Sequence, residues 1–239
     1  MGKAKATDIC NAFVAGAPRD AVGHVFYGVN YSNLDAWRQV LASGEPYWFI
    51  DNSYFDKTRG LFFRVTKNRL QHTGLGHSDG KRFAALGIPL SPWRGLNNGP
   101  VVVVEQSSDF MEIHAGQKPR LTRGRPLKED ESWAQQAARE HAQYGRKLRR
   151  RLWHPDKIKQ AVRLAVDLDD AGLVVTHSSA AAVSALIEGV PVVVSETSCC
   201  WASLDTLPSS RLRLFNVLAD NQFTLIEMKN GTAWASLNK

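Results

Sequence analysis

Three polar segments in the second half of the chain stand directly after strand-sized apolar runs, and their residue types suit a phosphorylated ligand. Thr176, His177, Ser178 and Ser179 follow Leu173, Val174 and Val175 and lead into an alanine-rich stretch with helical spacing. Hydroxyls and unpaired backbone N–H groups at a helix start, aided by the helix dipole, attract a phosphate; the same serines can equally be plain helix caps. His154 precedes Pro155, which keeps the chain extended, so its imidazole either meets a phosphate or supports a strand end. Ser195 and Glu196 follow Val194, where a carboxylate either accepts hydrogen bonds from a ribose diol or is a solvated loop acid.

Positioning these residues takes parallel strands. A strand over 171–177, a helix over 180–188, Gly189 and a strand over 190–194 read as one βαβ unit. The four consecutive valines from Val101 to Val104 read as a strand buried on both faces. Helices are expected over 132–150, ending in a basic cluster, and over 156–168, with a short strand over 151–155. The second half is therefore α/β, with three or four parallel strands and helices on both faces. In the first half, the residues to about Ala21 read as an arm or short irregular element. A strand over 24–30 follows, then a helix over 33–42 capped by Ser32 and stopped by Gly44. An aromatic strand over 46–51 ends in Asp51, and another strand covers 61–66. Nine Gly and Pro residues between Gly74 and Pro100 argue for a lobe boundary, giving an N-terminal lobe over 1–97 and a C-terminal lobe over 98–239. The latter ends in a tail with helices over 214–219 and 224–229.

His154 with Pro155, and residues 174–194 (VVTHSSAAAVSALIEGVPVVV), resemble the nucleotide-sugar-binding half of two-lobed (GT-B) glycosyltransferases. The capsular-polysaccharide type, with its R-x-HP and SS-x-A-x-x-A-L-x-x-G-x-P-V patterns, is the nearest match. Ser184 departs from the glutamate usual in that helix, and most members are longer. The resemblance implies an α/β fold of two small Rossmann-like lobes with parallel sheets. It also implies a nucleoside-diphosphate sugar, a UDP-sugar, as co-substrate. Carried over, donor binding falls on His154, His177, Ser178 and Ser179, with Glu196 on the ribose. Residues 51–55 and the tail over 220–234 also resemble small phage-encoded proteins. Phage transferases decorate hydroxymethylated pyrimidines in their own DNA, which implies that acceptor and the host cytoplasm. Inverting transfer needs a base to take the acceptor proton. Asp51 ends an apolar strand at the carboxyl edge of its sheet and is the candidate, unless it caps the turn through Asn52 and Ser53. His24, Asp56 and Asp109 are the other choices.

The 239 residues carry 30 Lys and Arg against 23 Asp and Glu, a net charge of +7 that suits a polyanionic partner. Arg123, Arg125 and Lys128 surround an RGRP core that resembles the AT-hook. Arg146, Lys147, Arg149, Arg150 and Arg151 put five cations in six residues. Both runs are DNA-contact candidates, or else a solvated loop and a helix end. Tyr47, Trp48, Tyr54 and Phe55, near Asp51, either stack on an extruded base or belong to the core. No HExxH or CxxC pattern points to a metal, and no P-loop to a kinase. No apolar run reaches membrane-spanning length or forms a secretory leader, so a cytoplasmic protein with no membrane partner is expected. Cys10, Cys199 and Cys200 make no disulfide framework. Two other functions fit the same residues: a non-catalytic DNA-binding or host-interaction protein on this scaffold, and transfer to a polysaccharide or small molecule.

Overall fold

The computed structural model describes residues 6–55, 61–72, 76–95, 98–116, 121–122, 125–126, 133–142, 148–151, 164–201 and 208–238. Its fold is α/β, with one mixed and one parallel sheet. Strands β1 (His24–Tyr27), β2 (Tyr47–Asn52), β3 (Phe62–Lys67) and β10 (Gln222–Thr224) form the first, in the order β1-β2-β3-β10. Strands β4 (Val101–Val104), β7 (Leu148–Arg151), β8 (Leu173–Val175) and β9 (Val192–Val193) form the second, in the order β7-β4-β8-β9. Every pair in the second sheet is parallel, as the βαβ pattern implies. In the first, only β1 and β2 are parallel; β3 runs antiparallel to both β2 and β10. The link from Asn52 to Phe62 is too short for a helical crossover, so β3 must return beside β2 in the opposite sense.

Three further differences from the sequence reading have physical causes. The N-terminal arm is a helix, α1 (Ala6–Ala15), because Ile9, Ala12 and Phe13 fall on one face and bury against Trp48 and Trp234. The basic cluster does not end a helix. Helix α5 covers Trp133–Ala142, and Leu148–Arg151 is strand β7, which satisfies the second hydrogen-bonding edge of the wholly buried β4. Asn30 rather than Ser32 caps the 3-10 turn (Tyr31–Asn33) that leads into α2 (Leu34–Ser43).

The tail holds more than helices. After α8 (Pro208–Asp220), β10 joins the first sheet, and α9 (Leu225–Lys229) and α10 (Thr232–Leu237) bring Met228 and Ala233 into one apolar cluster with α1. Residues 98–239 therefore contribute to both sheets. The two are joined by a shared core in which Phe55 meets Phe83 of α3 (Lys81–Ala85) at 5.1 Å and Phe215 of α8 at 5.7 Å. Among the described residues, no helix is long and apolar enough to cross a membrane.

Helix α7 (Ala181–Ile187) ends at Gly189, which holds φ +74° with the Pro92 carbonyl where a side chain would begin, 2.0 Å from an ideal Cβ. Gly189→Ala is expected to lower stability by more than the about 1–3 kcal/mol that a left-handed backbone alone costs. Gly87→Ala, at φ +61° with nothing within 4 Å, should incur only the backbone cost. Urea midpoints compare the two, and equal losses would contradict the close approach to Pro92.

Candidate functional site

Because β4, β8 and β9 run parallel, the segments after them converge on one edge of the sheet. Short hydrogen bonds tie these segments together. Thr176 Oγ1 donates to the Val104 carbonyl at 2.7 Å, and the Ser195 N–H donates to the His177 carbonyl at 2.9 Å. Gln106, two residues past β4, accepts from both the backbone N–H of Ser178 (2.8 Å) and its hydroxyl (3.1 Å). Ser179 Oγ, one residue before the Ala180 N-cap of α7, accepts from the Ala181 N–H at 3.2 Å. His177 Nδ1 lies 3.2 Å from Ser178 Oγ and 3.4 Å from Ser195 Oγ, and the latter pairs with Thr197 Oγ1 at 2.8 Å. The His177 ring stands edge-on to Trp133 of α5 and to His114 of α4 (Ser108–Ala115). Burial lowers the pKa of His177 and takes His114 down to about 4, where the neighbouring His177 and Arg64 add to the effect. Glu196 sits exposed on the same edge.

A second set of residues reaches this edge from the first sheet. Arg64 of β3, only 4% exposed, donates to Asp51 Oδ2 at 2.5 Å and to Gln71 Oε1 at 2.9 Å. Gln71 Nε2 then donates to the Ser178 carbonyl at 3.0 Å. The guanidinium also lies 5.4 Å from the Phe49 ring centroid and 5.5 Å from that of Tyr54. A continuous chain of bonds thus runs from Asp51 through Arg64 and Gln71 to Ser178 and Gln106. Asp51 has both oxygens engaged, since Oδ1 accepts the Asn52 N–H at 2.7 Å.

The structure therefore brings Asp51, His177, Ser178 and Ser179 into one connected region, with Glu196 at its rim. His154, Arg123, Lys128, Arg146 and Lys147 lie outside the described residues. Arg125 belongs to β6 (Arg125–Pro126), which pairs antiparallel with β5 (Leu121–Thr122), and Arg149 and Arg150 belong to β7. Trp48, Tyr54 and Phe55 are core residues, buried to 4% exposure or less, and are not placed to stack on a base. Asp167 and Asp169 have the D-x-D spacing of a metal-binding pair, yet they sit on α6 (Leu164–Asp169), at the amino edge of the sheet before β8. Sequence reasoning missed Arg64, Gln71, Gln106 and His114. Gln106 carried a usable signal, for it follows an apolar run as Thr176 and Ser195 do; Arg64 showed only as one charge in an apolar strand.

No protein-family model, curated protein or solved structure matches this chain.

Asp51→Asn should destabilise the fold on the order of 3 kcal/mol, because it leaves the sealed Arg64 guanidinium without its counter-charge. Arg64→Met removes the buried charge itself and leaves Asp51, whose side chain is 25% exposed, so it should cost less. Equal unfolding midpoints for the two variants would contradict this. His72 and His114 both have pKa values pushed down to about 4 from 6.5, first of all by burial. Between those limits the unfolded chain binds protons that the folded chain refuses. Stability should be complete above about pH 6.5 and decline as pH falls toward 4. Replacing both histidines by Gln should flatten that decline in a pH series of urea melts.

Proposed function

We propose that the chain is a GT-B-like glycosyltransferase moving a sugar from a nucleoside-diphosphate donor, a UDP-sugar, to a hydroxyl of hydroxymethylated pyrimidine in DNA. The observation that carries this reading is the convergence of Gln106, residues 176–179 and residues 195–197 on the carboxyl edge of a parallel sheet, the usual ligand position in open α/β folds. In this reading Ser178, Ser179 and His177, with His154, face the donor diphosphate, and Glu196 takes the ribose hydroxyls. Strand β7 supports a polyanionic acceptor. It runs parallel to β4 with Arg151 in register with Val104, so its basic run ends at the same sheet edge as Gln106. Arg123, Arg125, Lys128, Arg146, Lys147, Arg149 and Arg150 supply the remaining phosphate contacts.

A second reading is favoured by one observation. The Ser178 N–H is already held by Gln106, and the Ser179 hydroxyl oxygen already accepts the Ala181 N–H, as a scaffold without a ligand would have them. On that reading the chain is a DNA-binding protein with no transferase activity.

A thermal-shift screen against nucleotides and nucleotide sugars, followed by transfer of labelled sugar to hydroxymethylated DNA, separates the two. The transferase reading expects a rise in melting temperature with a uridine diphosphate ligand, lost in Ser179→Asp, and labelled DNA. Tight, salt-steep binding to plain duplex with no response to any nucleotide sugar would leave the binding protein standing.

A further inference from the structure

The hydrogen bonds around Ser178 determine where the proton of His177 resides. Gln106 presents a single atom to the Ser178 backbone N–H, at 2.8 Å, and to Ser178 Oγ, at 3.1 Å. A backbone N–H only donates, so that atom is the amide oxygen, which only accepts. The Ser178 hydroxyl must therefore point its one proton at Gln106. His177 Nδ1 lies 3.2 Å from the same hydroxyl oxygen, which has only lone pairs left to offer, so Nδ1 carries the ring proton and donates it. Ser195 Oγ, at 3.4 Å, is the longer arm of the same contact, and it shares a hydrogen bond of either sense with Thr197 Oγ1.

In a neutral imidazole the other nitrogen is then a bare lone pair. Burial lowers the pKa of His177, which keeps the ring neutral near pH 7. Its Nε2 has no hydrogen-bond partner among the described residues. The Nε2 atoms of His72 and His114 are also unpartnered, sealed from solvent, and His177 as a whole is 8% exposed. Trp133 and His114, edge-on at 5.4 and 5.7 Å, hold the plane of the ring. A fixed tautomer, a fixed plane and an uncommitted lone pair at the carboxyl edge of the sheet are what a general base requires. Asp51, the carboxylate that the first sheet offers for this step, has one oxygen on Arg64 and the other on the Asn52 N–H.

We propose that His177 Nε2 is the general base of this site, with Gln106 and Ser178 as the positioning residues that fix its tautomer. The assignment rests on the transferase reading above. In the step, the acceptor O–H bond breaks and its proton passes to Nε2. The oxygen's electron pair forms the bond to the anomeric carbon, while the bond from that carbon to the diphosphate oxygen breaks and the diphosphate leaves with the pair. The imidazolium keeps its Nδ1–H on Ser178.

Three measurements on the full chain test this. Nitrogen-15 NMR of the imidazoles should find the proton of His177 on Nδ1, and Gln106→Leu, which frees the Ser178 hydroxyl to donate, should move it to Nε2. A wild-type proton on Nε2 overturns the proposal. Diethyl pyrocarbonate, which acylates an unprotonated and reachable ring nitrogen, should modify His177 faster than His72 or His114 by peptide mass spectrometry. Protection of His177 overturns the assignment as surely. His177→Asn keeps a donor at the Nδ1 position and removes Nε2. It should lower kcat for transfer by about 10²–10⁴-fold. Wild-type transfer in that variant sinks the base assignment and leaves the transferase reading intact. Absence of transfer by the wild-type protein sinks the transferase reading and with it the base role, while the NMR and acylation results still judge the tautomer.

Discussion

A guanidinium sealed from water has to find its counter-charge and its hydrogen-bond acceptors nearby, and the junction of the two sheets is built around meeting that demand for Arg64. The counter-charge comes from Asp51 on the neighbouring strand, one acceptor from Gln71 just past β3, and flat apolar cover from Phe49 and Tyr54. Gln71 can serve Arg64 only with its oxygen, so its nitrogen is turned to the Ser178 carbonyl on the opposite sheet. One buried charge thereby sets the rotamer of an amide and fixes the alignment of two sheets. A purely apolar junction would tolerate sliding; this one has a register.

The same accounting explains why the candidate site and the scaffold use the same atoms. Strand ends leave backbone groups to be satisfied, and the polar residues that gather there do so for each other. Gln106, Thr176, Ser178, Ser179 and Ser195 are all engaged in that way. What is left over after every internal bond is assigned is chiefly Nε2 of His177 and the exposed Glu196.

Much of the second sheet was legible in the sequence. Four valines in a row, and a strand, helix, glycine and strand in quick succession, leave few other folds, and β4, β8, α7 and β9 fall where that pattern puts them. The serines and histidine after β8 were legible for the same reason, since parallel strands dictate which edge they share. The sense of β3 was harder to read, because direction depends on a linker's length more than on a strand's composition. Strand β7 was hidden because three arginines in succession carry no apolar alternation, and only the need of β4 for a second partner makes them a strand. Arg64 and Gln71 were invisible as a pair, for their meeting with Ser178 is a long-range event with no local periodicity.

The pairing of β10 with β3 joins segments about 160 positions apart in the chain. On a ribosome the first three strands of that sheet emerge before β10, so β3 keeps one bare edge until Gln222–Thr224 has been made. Helix α1 waits likewise for Met228 and Ala233 to cover it. All four strands of the second sheet lie between Val101 and Val193, so it is synthesised within that interval. Until residues 222–233 follow, the N-terminal half carries an open strand edge and an uncovered apolar helix, the features on which chaperones act.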